Sequence, residues 1–422
     1  MKLIKTTIFS GVITIVKIAS GFVASKIVAM VAGASGVAIL GAFTNFITIA
    51  LTFANGAINT GVIKYTAEFD GDENKLKRLF STALKISIYC SLFFGIILCI
   101  FAKTFSRLIL LDEKYFMPII VFGVVNIFYS LNSLLISILN GKGQIKDYTI
   151  VNMFGSLVGL VFTILLVWMY NILGALYALV TAQALVFFIT LAYITKSDWF
   201  KWSYFSEKFD RDMLGKLGQY SIMTIVAILT VPLAQIVVRN MIISEVGITS
   251  AGYWQGMMRI SDGYLMIFTT SLSTYYLPKL ASLKNDSDIR KEIFKAYKIL
   301  LPSVILSCIF IYFMRFIIIR ILFTTSFNAM ENLFFWQLLG DFFKMTSWIL
   351  GYLMLAKAMT KQYIIIEILI SLSYILLSYI CVQRWQLLGS TIAFAANYLL
   401  SLIVMIIIFG RLLFNKKTTE NV

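Results

Sequence analysis

Twelve stretches of continuously apolar sequence constrain this chain more than any other feature. They lie at about 8–32, 37–63, 79–102, 115–139, 148–170, 172–195, 217–243, 250–278, 297–322, 330–356, 362–383 and 385–410. About 20 residues of helix cross a ~30 Å hydrocarbon core, and a helix satisfies its own backbone N–H and C=O groups without water. Barrel strands would alternate polar and apolar over about ten residues, which these runs do not. The predicted fold class is therefore all-α, a polytopic membrane protein with twelve transmembrane helices. Composition agrees: of 422 residues, 60% are hydrophobic and 13% charged, against about 25% charged in soluble domains. Lys2, Lys5 and the small residues Ala32-Gly33-Ala34 imitate a signal peptide. Lys17 and Lys26 interrupt the run, and it is too long for a cleaved leader. It is expected to remain as the first helix.

The 36 Lys and Arg outnumber the 20 Asp and Glu, a net charge of +16. In a soluble chain this would suggest nucleic acid; here it follows the positive-inside rule. With the N-terminus inside, most basic residues fall on cytoplasmic segments, among them Lys75, Lys77, Arg78, the group Lys196–Lys216, the group Lys279–Lys298, and Lys416 and Lys417. The outer side holds only Lys103, Arg107, Lys114, Arg315, Arg320 and Arg384. Both termini are expected in the cytoplasm, and no nucleic-acid partner is expected.

The chain contains no His, and its four cysteines (Cys90, Cys99, Cys308, Cys381) lie in apolar stretches without a C-x-x-C pair. Metal ligation and a disulfide framework are not expected. No G-x-x-x-x-G-K-[ST] loop occurs, so no nucleotide site or other cofactor is expected. No loop is long enough for a catalytic domain. A membrane glycan polymerase or ligase would need one, with an acid/base or metal-binding constellation, so the chain reads as a non-enzyme. A scaffold without transport would give deep Asp and Lys residues no purpose.

The longest hydrophilic segment, 196–216, carries Trp199, Trp202, Tyr204 and Phe205 among its charges, the pattern of an interfacial segment with aromatic anchors. It divides the chain into a six-helix lobe at 1–200, a cytoplasmic linker at 201–216 and a second six-helix lobe at 217–422. Six spans per half return both halves to the same side, as a parallel repeat requires. Gly41-Ala42-Phe43 opens the second span as Gly252-Tyr253-Trp254 opens the eighth, and Lys64-Tyr65 and Tyr275-Tyr276 end them at the same offset.

Charges inside a bilayer cost at least about 2.5–3.5 kcal/mol each and normally face a cavity or a partner. The candidates are Lys17, Lys26, Lys85, Arg239, Arg259, Asp262, Asp341, Lys344 and Glu367. Asn45, Thr48, Thr52, Asn55 and Asn59 follow one another at spacings that share a helical face, as do Gln255, Arg259, Asp262, Thr269 and Ser273. Two such faces at equivalent places suggest walls of one aqueous cleft; hydrogen bonding between packed helices is the alternative. Asp341 and Lys344, one turn apart, can pair. Lys17 and Lys26 cannot share a face of a straight helix, so either Gly21 permits a kink or Lys26 snorkels. Snorkelling also competes for Arg239 and Lys85. Glu367, about 10 Å inside the boundary by helix rise, is a candidate proton carrier. Six basic against three acidic side chains leave a cationic surplus, which favours an anionic cargo.

At Tyr253-Trp254-Gln255-Gly256, Ile260-Ser261-Asp262-Gly263-Tyr264-Leu265 and Tyr275-Tyr276-Leu277-Pro278 the chain resembles the Wzx-type flippases, the enterobacterial lipid III and O-antigen translocases. Phe335-Trp336-Gln337-Leu338-Leu339-Gly340-Asp341, Lys344, Gly351-Tyr352-Leu353 and Ala356-Lys357-Ala358 extend the likeness, with Val16-Lys17-Ile18, Gly21, Lys26 and Lys64-Tyr65 in the first half. The resemblance implies the multidrug/oligosaccharidyl-lipid/polysaccharide exporter superfamily: two six-helix lobes around a central cavity, MATE-like, in the bacterial inner membrane. It implies an undecaprenyl-pyrophosphate-linked glycan as cargo, with a polysaccharide polymerase and chain-length regulator as candidate partners. Lys17, Lys26, Arg239, Asp262, Asp341, Lys344 and Glu367 fall on charged positions of that pattern, whereas Arg259 stands where a small polar residue is the rule.

A glycan and its pyrophosphate cannot cross hydrocarbon, while the polyprenyl tail can stay in it. The expected substrate-binding residues are Lys17, Lys26, Asn45, Asn55, Arg239, Gln255 and Arg259. Asp262, Asp341, Lys344 and Glu367 are the expected ion-coupling residues, serving alternating access driven by an ion gradient. The second reading is a small-molecule efflux antiporter of the same superfamily; an organic-cation exporter should show an acidic, aromatic cavity, which the cationic surplus opposes.

Overall fold

The computed structural model describes residues 2–197, 200–357 and 359–414. Trp199, Ala358, Lys416 and Lys417 lie outside them. Among the described residues every regular element is helical: α1 Lys2–Ala54, α2 Asn59–Glu68, α3 Glu73–Ile100, α4 Ala102–Phe105, α5 Phe116–Gly141, α6 Ile145–Ile194, α7 Arg211–Val246, α8 Ile248–Ser271, α9 Leu277–Ser282, α10 Asp286–Leu322, α11 Phe334–Ala356 and α12 Thr360–Phe414, with short 3₁₀ and π turns between.

Helices α1, α6 and α12 contain 53, 50 and 55 residues. As unbroken rods they would be about 75–80 Å long, more than twice the hydrocarbon core. Each is broken once, at Gly33 (φ 64°), Asn171 (φ 53°) and Gln386 (φ 51°). Positive φ cannot continue a right-handed helix, so each break makes two spans. Among the described residues, seven helices are long and apolar enough to cross a membrane. The three breaks raise seven to ten, and the more polar α8 and α11 complete twelve. The chain is an all-α, multi-span membrane protein.

Four breakpoints expose the internal repeat. Gly33 and Gly247, both at positive φ, join the first to the second span and α7 to α8. Asn171 and Gln386 join the fifth to the sixth and the eleventh to the twelfth. Three residues after each of the latter stands a glycine, Gly174 or Gly389. A Cβ on either would strike the carbonyl eight residues earlier, on Leu166 or Cys381. The two halves turn their last pair of spans with the same device.

The second span differs from its expected extent. Helix α1 stops at Ala54, and residues 55–58 form a turn with Gly56 at φ 66° and Ala57 at φ 55°. Asn45, Thr48 and Thr52 are on the helix, but Asn55 sits in the turn and Asn59 starts α2. The eighth span likewise ends in a π turn, Leu272–Tyr276, before α9.

The chain folds as two compact units, 1–32 with 39–236, and 33–38 with 237–422. That division falls within α7, while the expected lobes were divided by topology at 200 and 217. In the first unit the linker is docked on the start of α3. Ser81 donates to the carbonyl of Tyr204 (3.1 Å), the N–H of Glu207 donates to Ser81 (2.9 Å), and Lys85 donates to the carbonyl of Glu207 (2.7 Å). Phe80 packs on Tyr204 and Phe205 at 5.8 and 5.9 Å between ring centres. The expected membrane anchors Tyr204 and Phe205 are thus spent on protein packing, whereas Trp202 is exposed.

Candidate functional site

Helices α8 and α11 build the site, and both belong to the second unit. On α11, Gln337, Asp341 and Lys344 recur at i, i+4 and i+7, one stripe of a 3.6-residue helix. Gln337 and Asp341 are fully buried and Lys344 nearly so. On α8, Gln255, Arg259 and Asp262 form a partly exposed stripe, while Ser261 lies on the buried side with Trp254, Met258 and Leu265.

The expected Asp341–Lys344 pair is not the one that forms. Lys344 Nζ lies 3.6 Å from Asp262 Oδ1 on α8. Its ammonium also sits over three rings, Trp348 at 5.0 Å, Tyr398 at 5.6 Å and Phe394 at 5.8 Å. Ring faces attract a cation, more strongly when it is desolvated. Asp341 is met by neutral donors instead. Ser261 donates to Oδ1 (2.5 Å) and Tyr264 to Oδ2 (2.8 Å), with Gln337 Nε2 3.4 Å from Oδ1. Donors on both oxygens satisfy a buried carboxylate without a counter-ion beside it.

Around this core, Glu367 on α12 is half-buried and feels the charge of Lys344. Arg259 is half-buried and feels that of Asp262. Gln255 is half-buried one turn before Arg259. Arg239, at 0% exposure, donates to Asn240 Oδ1 at 3.1 Å.

The remaining candidates lie in the first unit. Lys17 is exposed on α1 and Lys26 half-buried. The only non-helical backbone inside α1 is at Gly33, so Gly21 makes no kink and the two lysines occupy different faces. Asn45 donates to Gln235 Oε1 at 3.0 Å. Thr48 and Thr52 each donate to the carbonyl four residues earlier. Asn55 Oδ1 accepts the N–H of Ala57 and closes the turn, and Asn59 donates to Ser133 at 2.7 Å. Most of this polar stripe is therefore engaged locally or with a neighbouring helix, and Thr48 keeps an exposed face.

Ser261 and Tyr264 fall in a motif that carries the resemblance but were not expected at the site, and Trp348 and Tyr398 were not singled out by sequence. Ser261 and Tyr264 are three residues apart, a spacing that puts them on one face. Nothing in a single sequence says that this face meets Asp341.

The sequence profile of the polysaccharide biosynthesis protein family matches residues 3–284. The lipid III flippase of Escherichia coli (strain K12) is 27% identical over 399 residues, covering 94% of this chain and 96% of its own. Among solved structures, an inward-facing multidrug resistance MATE family transporter of the MOP superfamily superposes with a TM-score of 0.81, at 15% identity, over 98% of this chain and 99% of its own. The lipid II flippase MurJ, in an inward closed conformation, superposes with a TM-score of 0.74, at 18% identity, over 96% of this chain and 87% of its own.

Proposed function

The chain belongs to the polysaccharide biosynthesis protein family, and from that premise we propose that it is a flippase for an undecaprenyl-pyrophosphate-linked oligosaccharide. The cargo moves from the cytoplasmic to the periplasmic leaflet of a bacterial inner membrane, with both termini of the protein in the cytoplasm. The observation that carries this reading is the near full-length similarity to the lipid III flippase. It is joined by a charged cluster held inside an otherwise apolar set of spans.

In this reading the lobes 1–200 and 217–422, joined by the linker 201–216, alternate between inward-open and outward-open states. Lys17, Lys26 and Arg259 attract the pyrophosphate, with Arg239 engaged only if α7 moves to uncover it. Asn45 and Gln255 offer amides to sugar hydroxyls. Asn55 has its carbonyl oxygen occupied and contributes less. Asp262, Asp341, Lys344 and Glu367 form the ion-coupled set. No bond in the cargo is made or broken, so the protein is a transporter and not an enzyme. A polysaccharide polymerase and a chain-length regulator act on what it delivers.

Expression in a bacterial strain lacking its lipid III or O-antigen flippase, with surface glycan as the readout, tests this. Restored glycan is expected, and Lys17→Ala should abolish it while the protein remains inserted. Normal glycan with Lys17→Ala would overturn the role of that cation. The second reading, small-molecule efflux, draws on the likeness in fold to a MATE transporter. Raised drug resistance without glycan rescue would favour it.

A further inference from the structure

The carboxylates of the coupling set are not equivalent. Asp262 is exposed and answers Lys344. Asp341 is buried among groups that carry no charge: Ser261 and Tyr264 of α8 and Gln337 of its own helix. Gln337 Nε2 is also 3.3 Å from Ser261 Oγ. The other end of that amide, Oε1, is buried and has no hydrogen-bond partner among the described residues. A native interior rarely leaves an amide oxygen in that condition without a reason.

We propose that Asp341 is a proton-operated latch between α8 and α11, and that Gln337 is the swivel that follows its protonation state. This deepens the coupled-flippase reading and rests on it for its purpose. An ionised carboxylate is acceptor-only, and the three donors around Asp341 suit that form. Taking one proton from water turns one carboxyl oxygen into a donor. The Gln337 N–H cannot accept from it, but Oε1 can, and an amide exchanges its two ends by half a turn without changing shape. Tyr264 has an alternative as well: its hydroxyl lies 3.6 Å from Cys308 Sγ on α10, and that thiol lies 3.7 Å from the carbonyl of Leu338 on α11. Protonation therefore redirects hydrogen bonds that tie α8 to α11 and passes the change to α10. Deprotonation returns the proton to water and restores the three donors.

A proton suits the site better than a metal cation. Ser261, Gln337 and Asp341 are all at 0% exposure, with donors already at hydrogen-bond distance, which leaves no room for an ion and its ligands. The other titratable or charged groups near Asp341 are Asp262 and Tyr264 on α8, Cys308 on α10, Lys344 on α11 and Tyr398 on α12. Lys344 and Asp262 oppose each other's field, and Tyr and Cys side chains change charge only towards alkaline pH.

The test uses the full-length protein in nanodiscs of phosphatidylethanolamine and phosphatidylglycerol, titrated from about pH 8 to about pH 5, where a carboxyl can change state and Lys, Tyr and Cys do not. Infrared absorption reads the protonated carboxyl, and hydrogen–deuterium exchange reads the backbone of 258–268. In the unmodified protein a carboxyl band should appear on acidification while exchange, taken relative to the intrinsic rate at each pH, rises several-fold. Asp341→Asn should exchange at the high level at every pH and lose the part of the band that Asp341 contributes, as the difference from the unmodified protein. Gln337→Leu and Ser261→Ala should each move the transition to higher pH, because the ionised form loses a donor.

A flat response in the unmodified protein, or a full response in Asp341→Asn, overturns the latch. If Asp341→Asn does not fold, an unmoved transition in both Gln337→Leu and Ser261→Ala overturns it. Glycan rescue is scored separately. Rescue without a pH response sinks the latch alone, and a pH response without rescue sinks the flippase reading alone.

Discussion

At the scale of single residues, the pairing of Lys344 is the most consequential detail. Its ammonium is held by one exposed carboxylate and three ring faces. Removing Asp262 takes the counter-charge from a cation that is itself nearly buried, and a buried charge left uncompensated is more harmful than the loss of both partners. Asp262→Asn should lower thermal stability in detergent, and adding Lys344→Met should recover part of the loss. A non-additive term of about 0.5–3 kcal/mol is the size expected for residues in contact. Strict additivity would show that the pair is not coupled.

Outside the membrane, Asp72 caps α3 by accepting from the N–H of Lys75 at 3.1 Å. That bond, then the Lys75 ammonium, holds its carboxyl below the ordinary value. A depressed carboxylate contributes stability above its unfolded value and loses it as pH falls through its folded value. Acidification through that range should therefore lower the protection of the amides at 73–78, measured as exchange relative to the intrinsic rate at each pH. Asp72→Asn, which keeps an oxygen for the cap, should flatten the pH response.

At the scale of elements, the breaks at Gly33, Asn171, Gly247 and Gln386 decide how helices become spans. Gln386 is the least suited residue of the four, because a side chain with a long stem at positive φ crowds its own carbonyl. Gln386→Gly should raise stability by up to about 1 kcal/mol, while Gly33→Ala should cost about 1–2 kcal/mol, read as melting shifts in detergent. Gly174→Ala and Gly389→Ala should do more harm, since the new methyl meets backbone and not a movable side chain. Loss of the monodisperse peak on size-exclusion chromatography would register it.

A further break, between α1 and α2, was signalled in the sequence. Asn55-Gly56 is a turn dipeptide inside an apolar run, and it marks where the second span ends. An even polar spacing across 45–59 hides that break, because a 3.6-residue period and a helix–turn–helix can share the same positions over a few turns.

At the scale of the whole molecule, charge within the spans is divided between the two units. Lys17, Lys26 and Lys85 belong to the first, and Lys85 is taken up by the linker. In the second, Arg239, Arg259 and Lys344 face equal numbers of acids, Asp262, Asp341 and Glu367. The cationic surplus therefore belongs to the first unit, and it is there that an anionic cargo should be most sensitive to charge reversal. Lys17→Glu should abolish glycan export, whereas Glu367→Gln should change its pH or gradient dependence and leave some export. An equal loss in both would argue that the units do not divide the work.

Twelve spans and an all-helical fold were determined by the sequence alone, because a long apolar run has a single way to satisfy its backbone in hydrocarbon. So was the short inventory of charges inside those spans, since each is too costly to be incidental. Which charges meet was decided only by the tertiary structure. Asp341 and Lys344 are one turn apart on one helix, yet neither answers the other, and each is met from α8, by Tyr264 and Ser261 in one case and by Asp262 in the other. Periodicity fixes the face on which a side chain stands. The rotation and depth at which two helices pack fix what that face meets, and those depend on the shapes of all the residues between them.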